Sequence, residues 1–547
     1  MHRIHVVIGL CFLPLLSARL EGGQVAEVAA TPSARGLDEV PGVDGSRKLR
    51  VRLRRDGAPT SARVGVTGSD GKPAAPASAV VRETKRGESY FYADDSFEVE
   101  LPPGHARLHF SGGIETIPQT ITVDVGSTDE LTVRLSRWID MPARGWHSGD
   151  SHVHLHTGGP IAVTVADALV AARAEDVGYV NLCVSNSVGD DVRDAEMITG
   201  KPHELSTNRH LLVFGEEMRS GVYGHMQFFG IDKLVEPQYT GFDDTPNRND
   251  FPANHTMAAE TVRQGGLVTY GHPMFAGEPF PFEKDLTKSN AAARELPIDA
   301  ILGVVHAVDL MSYNSDAELS AGLWYRLLNC GLKLSACVGT DALLDRSTEP
   351  LGGQRVYVKT EGPLTMRGWL DGLRHGRSFV TNGPIPTLEV DGKGPGESRA
   401  LDKAGVARVG VTVESLAPFD QIEVIVNGEV VARDEVGAEA STSTRLRRLE
   451  VAVPIERSSW IAARVRGPVS PMVFGGPAWA HTSPVYVSVA GQPIASPRDA
   501  AYFVDWIERM LEVVAARDRF AKAEDRREVE ALFRKARDAF RTLAEAP

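Results

Sequence analysis

The stretch GDSHVHLH, residues 149–156, places three histidines at alternate positions, with Asp150 two places before the first of them. Side chains at i and i+2 of a strand point to the same side, so His152 and His154 are expected to project together from one strand. Neutral imidazole is the most common metal-binding side chain. The pair alone is as typical of a solvated sheet edge as of a metal site, so the other ligands must come from elsewhere in the chain.

Strand and helix patterns alternate around this stretch, from residue 141 to about residue 385. TVADALVAARAEDVG (164–178) opens with Thr164 and Asp167 at the spacing of a helix capping box and carries apolar residues at helical intervals. YVNLCVS (179–185), HLLVFGEE (210–217), LVTYGHP (267–273) and LKLSACVGTDA (332–342) are typical of buried strands. Such alternation predicts an α/β barrel or a related parallel layout.

Polar residues of metal-binding type stand where these strands end. Glu216 and Glu217 close HLLVFGEE, His225 begins GHMQFFG, His272 follows LVTYG, and Asp341 follows LSACVGT. Taken singly, such residues are usually solvated loop, helix-capping or turn residues. The carboxyl ends of barrel strands carry the active site, so their common placement favours a metal site over coincidence.

These motifs, followed by GRSFVTNGP (376–384), resemble in type and order those of the PHP-domain metallohydrolases, and of the CehA/McbA-type branch in particular. The flanking segments RWIDMPARGWHSGDSHVH (137–154), VNGEVV (426–431) and TSPVYV (482–487) agree with that branch. The similarity covers about residues 100–490. It implies a distorted (β/α)7 PHP-type barrel, which the strand and helix pattern alone does not determine.

The resemblance also implies a set of metal ligands. In the family pattern, the HxH pair, a Glu and a late Asp hold one ion, and the Glu bridges to a second ion that two further histidines bind. Carried over, the first site is His152, His154, Glu217 and Asp341, and the second is Glu217, His225 and His272. Glu217 is chosen over Glu216 because the family motif is Gly-x-Glu.

The sequence departs from the family at the ligands of a third ion. The positions that would hold its three histidines carry Pro160, Ser185 and Leu343. Their joint loss predicts two divalent ions; Zn²⁺ is expected, and Mn or Fe would also suit imidazole and carboxylate ligands. Catalytic roles are expected for Glu217, Asp341 and Arg377. Supporting or substrate-facing roles are expected for Asp150, His156, Asn186 and Glu216.

The predicted function is that of an exported hydrolase in which a water activated by two metal ions cleaves an amide, carbamate or ester bond. Two alternatives remain open at this stage. The first is a phosphoesterase of the PHP type. The second is a metal-containing binding protein of the cell surface with reduced catalysis. The expected partner is a small-molecule or polymer-derived substrate, whereas the net charge of −13 argues against nucleic acid.

A chain of 547 residues is too long for a single core, and its pattern changes along its length. Short alternating runs between turn residues predict an N-terminal β-sandwich at 47–140 and a C-terminal β-rich domain at 386–492, on either side of the barrel at 141–385. Residues 496–547 predict a helical hairpin with two apolar stripes: Phe503, Ile507, Met510 and Val514, then Val529, Leu532, Phe533, Ala536, Phe540 and Leu543.

The N-terminal residues have the order of a signal peptide. A short basic start precedes VVIGLCFLPLL, an apolar run too short to span a bilayer, and Ala18 follows as a cleavage point. We therefore predict a signal peptide at 1–18, a linker at 19–46, and export of a chain that begins near Arg19 to the periplasm or the medium. No later segment has the length of a membrane helix. Three scattered cysteines remain after cleavage and predict no disulfide framework.

Overall fold

The computed structural model describes residues 45–185, 192–282, 284–437 and 446–546. The predicted signal peptide and nearly all of the predicted linker, as well as Asn186, lie outside these ranges. The described chain is a mixed α/β structure in which 7 helices accompany four sheets. No helix in these ranges combines the length and apolar character needed to cross a membrane.

Two antiparallel-rich sheets form the N-terminal β region. The first has the order β2-β1-β6, with β9 parallel to β1, and the second has the order β4-β5-β3-β7-β8. Alternate residues such as Leu49 and Val51 of one sheet and Val64 and Phe110 of the other share one buried core, which is the arrangement of a sandwich. The strands are β1 (Arg47–Arg55), β2 (Ala58–Pro59), β3 (Ser61–Thr67), β4 (Arg82–Glu83), β5 (Ser89–Asp94), β6 (Ser96–Leu101), β7 (His105–Ser111), β8 (Gln119–Asp124) and β9 (Glu130–Arg134).

The α/β region follows, and its strands belong to the largest sheet. These strands are β10 (Trp146–His154), β11 (Tyr179–Val184), β12 (Leu211–Ser220), β13 (Gly224–Phe229), β14 (Tyr239–Thr240), β15 (Leu267–Tyr270), β16 (Ala307–Met311), β17 (Ser335–Val338), β18 (Ala342–Leu343), β19 (Arg355–Lys359) and β20 (Ser378–Thr381). The accompanying helices are α1 (Val165–Ala174), α2 (Asn254–Arg263), α3 (Leu296–Ile301), α4 (Ala317–Asn329) and α5 (Met366–Arg374). Helix α1 begins at the predicted capping box, in which Thr164 and Asp167 exchange side-chain to backbone hydrogen bonds.

The pairing in this sheet is mixed rather than wholly parallel. Strands β10, β11 and β12 pair in parallel, as do β15, β16 and β17. Strand β13 separates the two groups and runs antiparallel to both β12 and β15. Among the described residues no ladder joins β17 to β10, so the mixed α/β class is confirmed, but the closed seven-stranded barrel is not found.

The same sheet continues into the C-terminal β region, because β20 pairs with β28 across the predicted boundary at residue 385. The strands of this region are β21 (Ile385–Val390), β22 (Ser398–Leu401), β23 (Gly405–Glu414), β24 (Gln421–Val426), β25 (Glu429–Glu435), β26 (Leu446–Ile455), β27 (Ser459–Arg466), β28 (Trp479–Thr482) and β29 (Val485–Val489). Strands β21, β23 and β26 form a separate antiparallel sheet over a shared apolar core.

Two long helices, α6 (Pro497–Arg517) and α7 (Ala523–Ala544), end the chain as the predicted hairpin. Ser496 caps α6 by accepting a hydrogen bond from the Asp499 amide, with Pro497 in the first turn. Phe503, Ile507, Phe533 and Phe540 are fully buried in the same core as the α/β strands. The apolar stripes read from the sequence are therefore the faces that attach the hairpin to the body.

Candidate functional site

Five segments of the α/β sheet deliver the predicted ligands to one place. His152 and His154 close β10, and Asp341 lies between β17 and β18, the latter pairing in parallel with Val153 and His154. His272 comes two residues after β15. The backbone of His272 and Asp341 has positive φ values of 30° and 60°, conformations that are rare for residues other than glycine and that often mark functional positions.

Glu217 and His225 reach the site from an antiparallel pair. Glu217 is the seventh residue of β12, inside the strand and not at its end as predicted. Glu217 lies opposite Gln227 on β13, and Arg219 lies opposite His225. Since residues two apart share a face, all four side chains point to the same side of the sheet. Because β13 runs backwards, its first residues lie at the edge where the parallel strands end.

The donor atoms of His152, His154, Glu217 and Asp341 have the separations of a coordination shell. The two Nε2 atoms lie 2.9 Å apart. Each lies 3.3 Å from a carboxylate oxygen of Glu217. The Asp341 Oδ1 atom is 3.5 Å from Nε2 of His152 and 3.3 Å from that of His154. Four ligands about 2.1 Å from a tetrahedral ion are separated by about 3.4 Å. These residues therefore fit a divalent ion.

The same glutamate faces a second group of histidines. Glu217 Oε1 lies 3.1 Å from Nδ1 of His225 and 3.7 Å from Nε2 of His272. Within the part of the chain that the structure describes, two sets of donor atoms are compact enough to hold an ion, namely His152, Glu217 and His272, and His152, His154 and Asp341. The grouping differs from the predicted partition, because His152 belongs to both sets, Glu217 to one only and His225 to neither. Glu217 nevertheless directs an oxygen to each group, as a bridging carboxylate would.

Hydrogen bonds behind the rings fix which nitrogen faces the site. Nδ1 of His154 lies 3.1 Å from the carbonyl oxygen of Cys183. A carbonyl can only accept, so Nδ1 carries the proton and the lone pair of the neutral ring is on Nε2, among the other donors. Nε2 of His225 and Nδ1 of His272 are buried and have no hydrogen-bond partner among the described residues, so no such bond fixes the tautomers of these two rings.

Burial and neighbouring charges shift the pKa values of the site residues strongly. Burial acts to lower the pKa of His154, but hydrogen bonds with Asp341 and Glu217 raise it to about 9. Burial acts to raise the pKa of Glu217, but Arg219 and His152 hold it well below its usual range. Burial, helped by the charges of His272 and Arg219, lowers the pKa of His225 to about 4 despite its contact with Glu217. The carboxylates are thus ionised, as metal ligands must be.

Residues that the sequence did not single out hold the ligands in place. The Nε–H of Arg219 donates to Glu217 Oε2 at 2.6 Å, and the Asn314 amide donates to Asp341 Oδ2 at 2.6 Å. Gln227 lies 3.1 Å from Nδ1 of His152. Strand alternation around Glu217 and His225 could have revealed Arg219 and Gln227, whereas no sequence signal marks Asn314.

Two further positions hold the backbone close to the site. Asp150, predicted to support the site, accepts hydrogen bonds from the amide and hydroxyl of Thr340, next to Asp341, at 2.9 and 2.6 Å. Gly339 leaves room for His152, because a Cβ at residue 339 would come within 2.2 Å of the His152 Cβ and 2.7 Å of an Asp309 oxygen. These contacts join β10 to the segment that carries Asp341.

Two of the predicted residues that the structure describes, Glu216 and His156, do not join the cluster. Glu216 points to the opposite face, where it accepts a hydrogen bond from the Val235 amide at 2.7 Å and burial raises its pKa. His156 uses its nitrogens on Asp194 Oδ2 at 2.7 Å and the Val163 carbonyl at 2.9 Å. None of these contacts involves a predicted metal ligand. Asn186 lies outside the described residues.

Arg377, for which a catalytic role is expected, lies away from the predicted metal ligands. Its guanidinium pairs with Asp371 at 2.6 Å, and its carbonyl accepts from the Lys359 amide. Lys359 pairs with Trp146, the first residue of β10, whereas His152 and His154 are at the other end of that strand. Six residues of strand span about 20 Å, so Arg377 lies at the far edge of the sheet.

No family model matches the chain, and no curated protein matches it. The site must therefore be interpreted from its own chemistry.

Proposed function

We propose that this chain is a metal-dependent hydrolase of the PHP type, similar to the CehA/McbA branch, that cleaves an amide, carbamate or ester bond. One observation carries the proposal: imidazole nitrogens and carboxylate oxygens from strands distant in sequence converge with the separations of a coordination shell. Two divalent ions held there would lower the pKa of water and polarise the oxygen under attack.

The residues of the chain contribute positioning and charge. His152 and His154 are fully buried, and Glu217 is almost so, which keeps bulk water from competing for these ligands. Arg219 orients Glu217, and Asn314 orients Asp341 through hydrogen bonds of 2.6 Å each. The Asp341 side chain keeps 16% exposure, so a substrate can approach the cluster from its side.

Elemental analysis of the purified full chain tests the metal centre. We expect at most two tightly bound divalent ions, with zinc foremost, because Pro160, Ser185 and Leu343 stand where the family has the third set of histidines. Three ions per chain would overturn the missing-site argument. A chain that binds none after loading with zinc, manganese or ferrous iron would overturn the metal centre itself.

Activity assays then test the reaction. Aryl esters, carbamates, anilides and phosphoesters should be screened with and without a chelator, in wild type, His154→Ala and His156→Ala. His156 is a matched control because it belongs to the same stretch, but its side chain is bound to Asp194 and Val163. We expect chelator-sensitive turnover of a carboxylic or carbamic substrate, which His154→Ala loses together with metal. Full metal loading without turnover would favour a binding protein, and turnover of phosphoesters alone would favour a phosphoesterase.

The proposal includes export, since residues 1–18 have the order of a signal peptide. Sequencing the N-terminus of the protein from its native host should recover a chain that begins near Arg19. Recovery of Met1 in the cytoplasmic fraction would refute export without affecting the assignment of the metal centre.

A further inference from the structure

A cleft of about 550 Å³ opens beside Asp341. One of its walls belongs to the α/β region and includes Asn314, Asp341 and Ser347. The facing wall belongs to the N-terminal β region and includes Glu83 and Lys85. The cleft thus joins a ligand of the proposed metal centre to a part of the chain to which the sequence assigns no function.

The N-terminal wall is held firmly against the loop that follows Asp341. The buried Arg82 donates to the Leu344 carbonyl at 2.8 Å, and the Glu83 amide donates to Ser347 Oγ at 2.6 Å. The hydroxyl of Tyr90 donates to the Thr348 carbonyl at 2.9 Å. Since these bonds lie on both sides of Lys85, they fix the backbone from which its side chain reaches the cleft.

The ammonium group of Lys85 is held beside the cleft that Asp341 also lines. It donates to the Tyr313 carbonyl at 2.9 Å, and the next residue, Asn314, donates to Asp341 at 2.6 Å. An ammonium group has three donors, so this contact orients Lys85 and leaves donors for a ligand. The Lys85 charge therefore lies within the reach of a small substrate whose scissile bond is at Asp341.

We propose that the substrate carries a carboxylate near its scissile bond and that Lys85 binds this group. This inference rests on the proposed hydrolase function and narrows its substrate class. A single ammonium group suits a ligand with one negative charge. Its positive charge would attract that ligand together with the dications that Asp341 and Glu217 would hold. Glu83 lines the same cleft, and the carboxylate of Glu349 accepts a hydrogen bond from the Lys85 amide at 3.3 Å. Both oppose an anion, so the preference for a carboxylate is set by the balance between Lys85 and these two glutamates.

A pair of esters with one leaving group tests the proposal. We compare kcat/KM for mono-4-nitrophenyl succinate and for 4-nitrophenyl acetate; each reaction consumes one water and releases 4-nitrophenol and the acid. In Lys85→Ala we expect the succinate-to-acetate ratio to fall by about threefold to fivefold, the range of an exposed ion pair. Lys85→Arg should keep the ratio, and Glu83→Gln should raise it. Lys48→Ala, an exposed lysine of β1, is the control.

Binding distinguishes failure of this proposal from failure of the hydrolase assignment. Calorimetry with succinate on the zinc-loaded full chain should give weaker binding in Lys85→Ala than in wild type, Lys85→Arg or Lys48→Ala. If both esters are hydrolysed but the ratio and the succinate affinity do not change in Lys85→Ala, the carboxylate proposal is overturned and the hydrolase stands. If none of the esters, carbamates and anilides turns over but succinate binding depends on Lys85, the hydrolase fails and the anion site stands. Equal or absent succinate binding in all variants overturns the role of Lys85.

Discussion

His152 and His154 illustrate how one hydrogen bond behind an imidazole ring decides what its front nitrogen can do. For His154 the partner is the Cys183 carbonyl, which can only accept a hydrogen bond, so Nδ1 carries the proton. For His152 the partner is the Gln227 side-chain amide, whose other atom, the buried Oε1, has no hydrogen-bond partner among the described residues. Exchanging the amide's oxygen and nitrogen positions would let Oε1 accept from Nδ1–H and would free Nε2 of His152 for a metal ion.

Gln227 should therefore determine metal affinity without being a ligand. We expect Gln227→Met, which keeps the length but removes the acceptor, to weaken zinc binding by about 10- to 100-fold. Gln227→Glu keeps an acceptor opposite Nδ1 and should retain most of the affinity. Competition with a chelating dye measures both. Equal affinity in wild type and Gln227→Met would show that the Gln227 contact does not orient His152.

At the scale of elements, the antiparallel pair β12 and β13 organises the centre. Its register places Glu217 opposite Gln227 and Arg219 opposite His225, so two neighbouring strands supply the carboxylate proposed to bridge the ions, one proposed histidine ligand and the two side chains that contact ligands. The neighbouring residues Glu216 and Phe228 face the other side, toward the core. A shift of one residue in this register would exchange the two sets of side chains.

The two adjacent glutamates test this register directly. Glu217→Gln keeps the shape but removes the charge that two ions would share, so metal content should fall. Hydrolytic activity should drop by more than about 100-fold, because losing only a hydrogen-bond partner behind a ligand already costs up to about that factor. Glu216→Gln is the matched control, because Glu216 only accepts a hydrogen bond from Val235 on the opposite face. Elemental analysis of both variants shows which of the two glutamates metal binding needs. Loss of metal in Glu216→Gln with normal loading in Glu217→Gln would redraw the site around Glu216.

At the scale of the whole molecule, the terminal hairpin is fastened by a buried ion pair. Arg517, at the end of α6, binds Asp250 through two bonds of 2.7 and 3.0 Å and also donates to the Thr287 carbonyl. The side chains of Arg517 and Asp250 are 1% and 2% exposed. Trp506 of the same helix is fully buried and donates to the Arg294 carbonyl. The hairpin is therefore an integral part of the fold.

Breaking this pair should destabilise the protein strongly. We expect Arg517→Met to lower the free energy of unfolding by about 3–5 kcal/mol, because it leaves the Asp250 charge buried without a partner. Adding Asp250→Asn should restore much of that loss. Guanidinium-induced unfolding followed by tryptophan fluorescence measures both. Arg509→Met removes an exposed pair with Glu512 and should cost no more than about 0.5 kcal/mol. Equal effects of Arg509→Met and Arg517→Met would contradict the role of burial.

A second prediction at this scale concerns acid stability. His481 of β28 accepts from the Tyr325 hydroxyl at 2.6 Å and lies 2.8 Å from the Thr482 carbonyl, so both of its nitrogens are used in the neutral form. Burial, helped by the Arg464 charge, lowers its pKa to about 3. In the unfolded chain a histidine titrates near 6.5. Below that pH the unfolded chain takes up a proton that the folded chain refuses, so stability present at neutral pH is lost as the pH falls toward 3.

Between pH 6 and 4, unfolding lets His481 take up about one proton. This residue therefore contributes about 1.4 kcal/mol per pH unit to the slope of the free energy of unfolding against pH. We expect His481→Asn to reduce the slope of unfolding free energy between pH 6 and 4 by about this amount, whatever its effect on stability at neutral pH. Denaturant titrations at several pH values measure the slope. The exposed His105→Asn is the control. An unchanged slope in His481→Asn would mean that this histidine is protonated in the folded state.

The sequence by itself determined the features that depend on local periodicity. Alternation places His152 and His154 on one side of β10 and separates Glu217 from Glu216, the Thr164 capping box starts α1, and apolar spacing marks the hairpin faces. Each of these follows from side-chain direction along a single helix or strand, which a few neighbouring residues fix.

Only the tertiary structure decided what depends on pairing between distant strands. The reversal of β13 brings His225 to the edge of the sheet where the other predicted ligands lie, the register of β19 and β20 places Arg377 at the opposite edge, and β28 joins the C-terminal β region to the central sheet. The wall that carries Lys85 comes from residues more than 250 positions before the loop it contacts. Strand direction, register and such contacts are set by the joint burial of many side chains, and no local pattern specifies them.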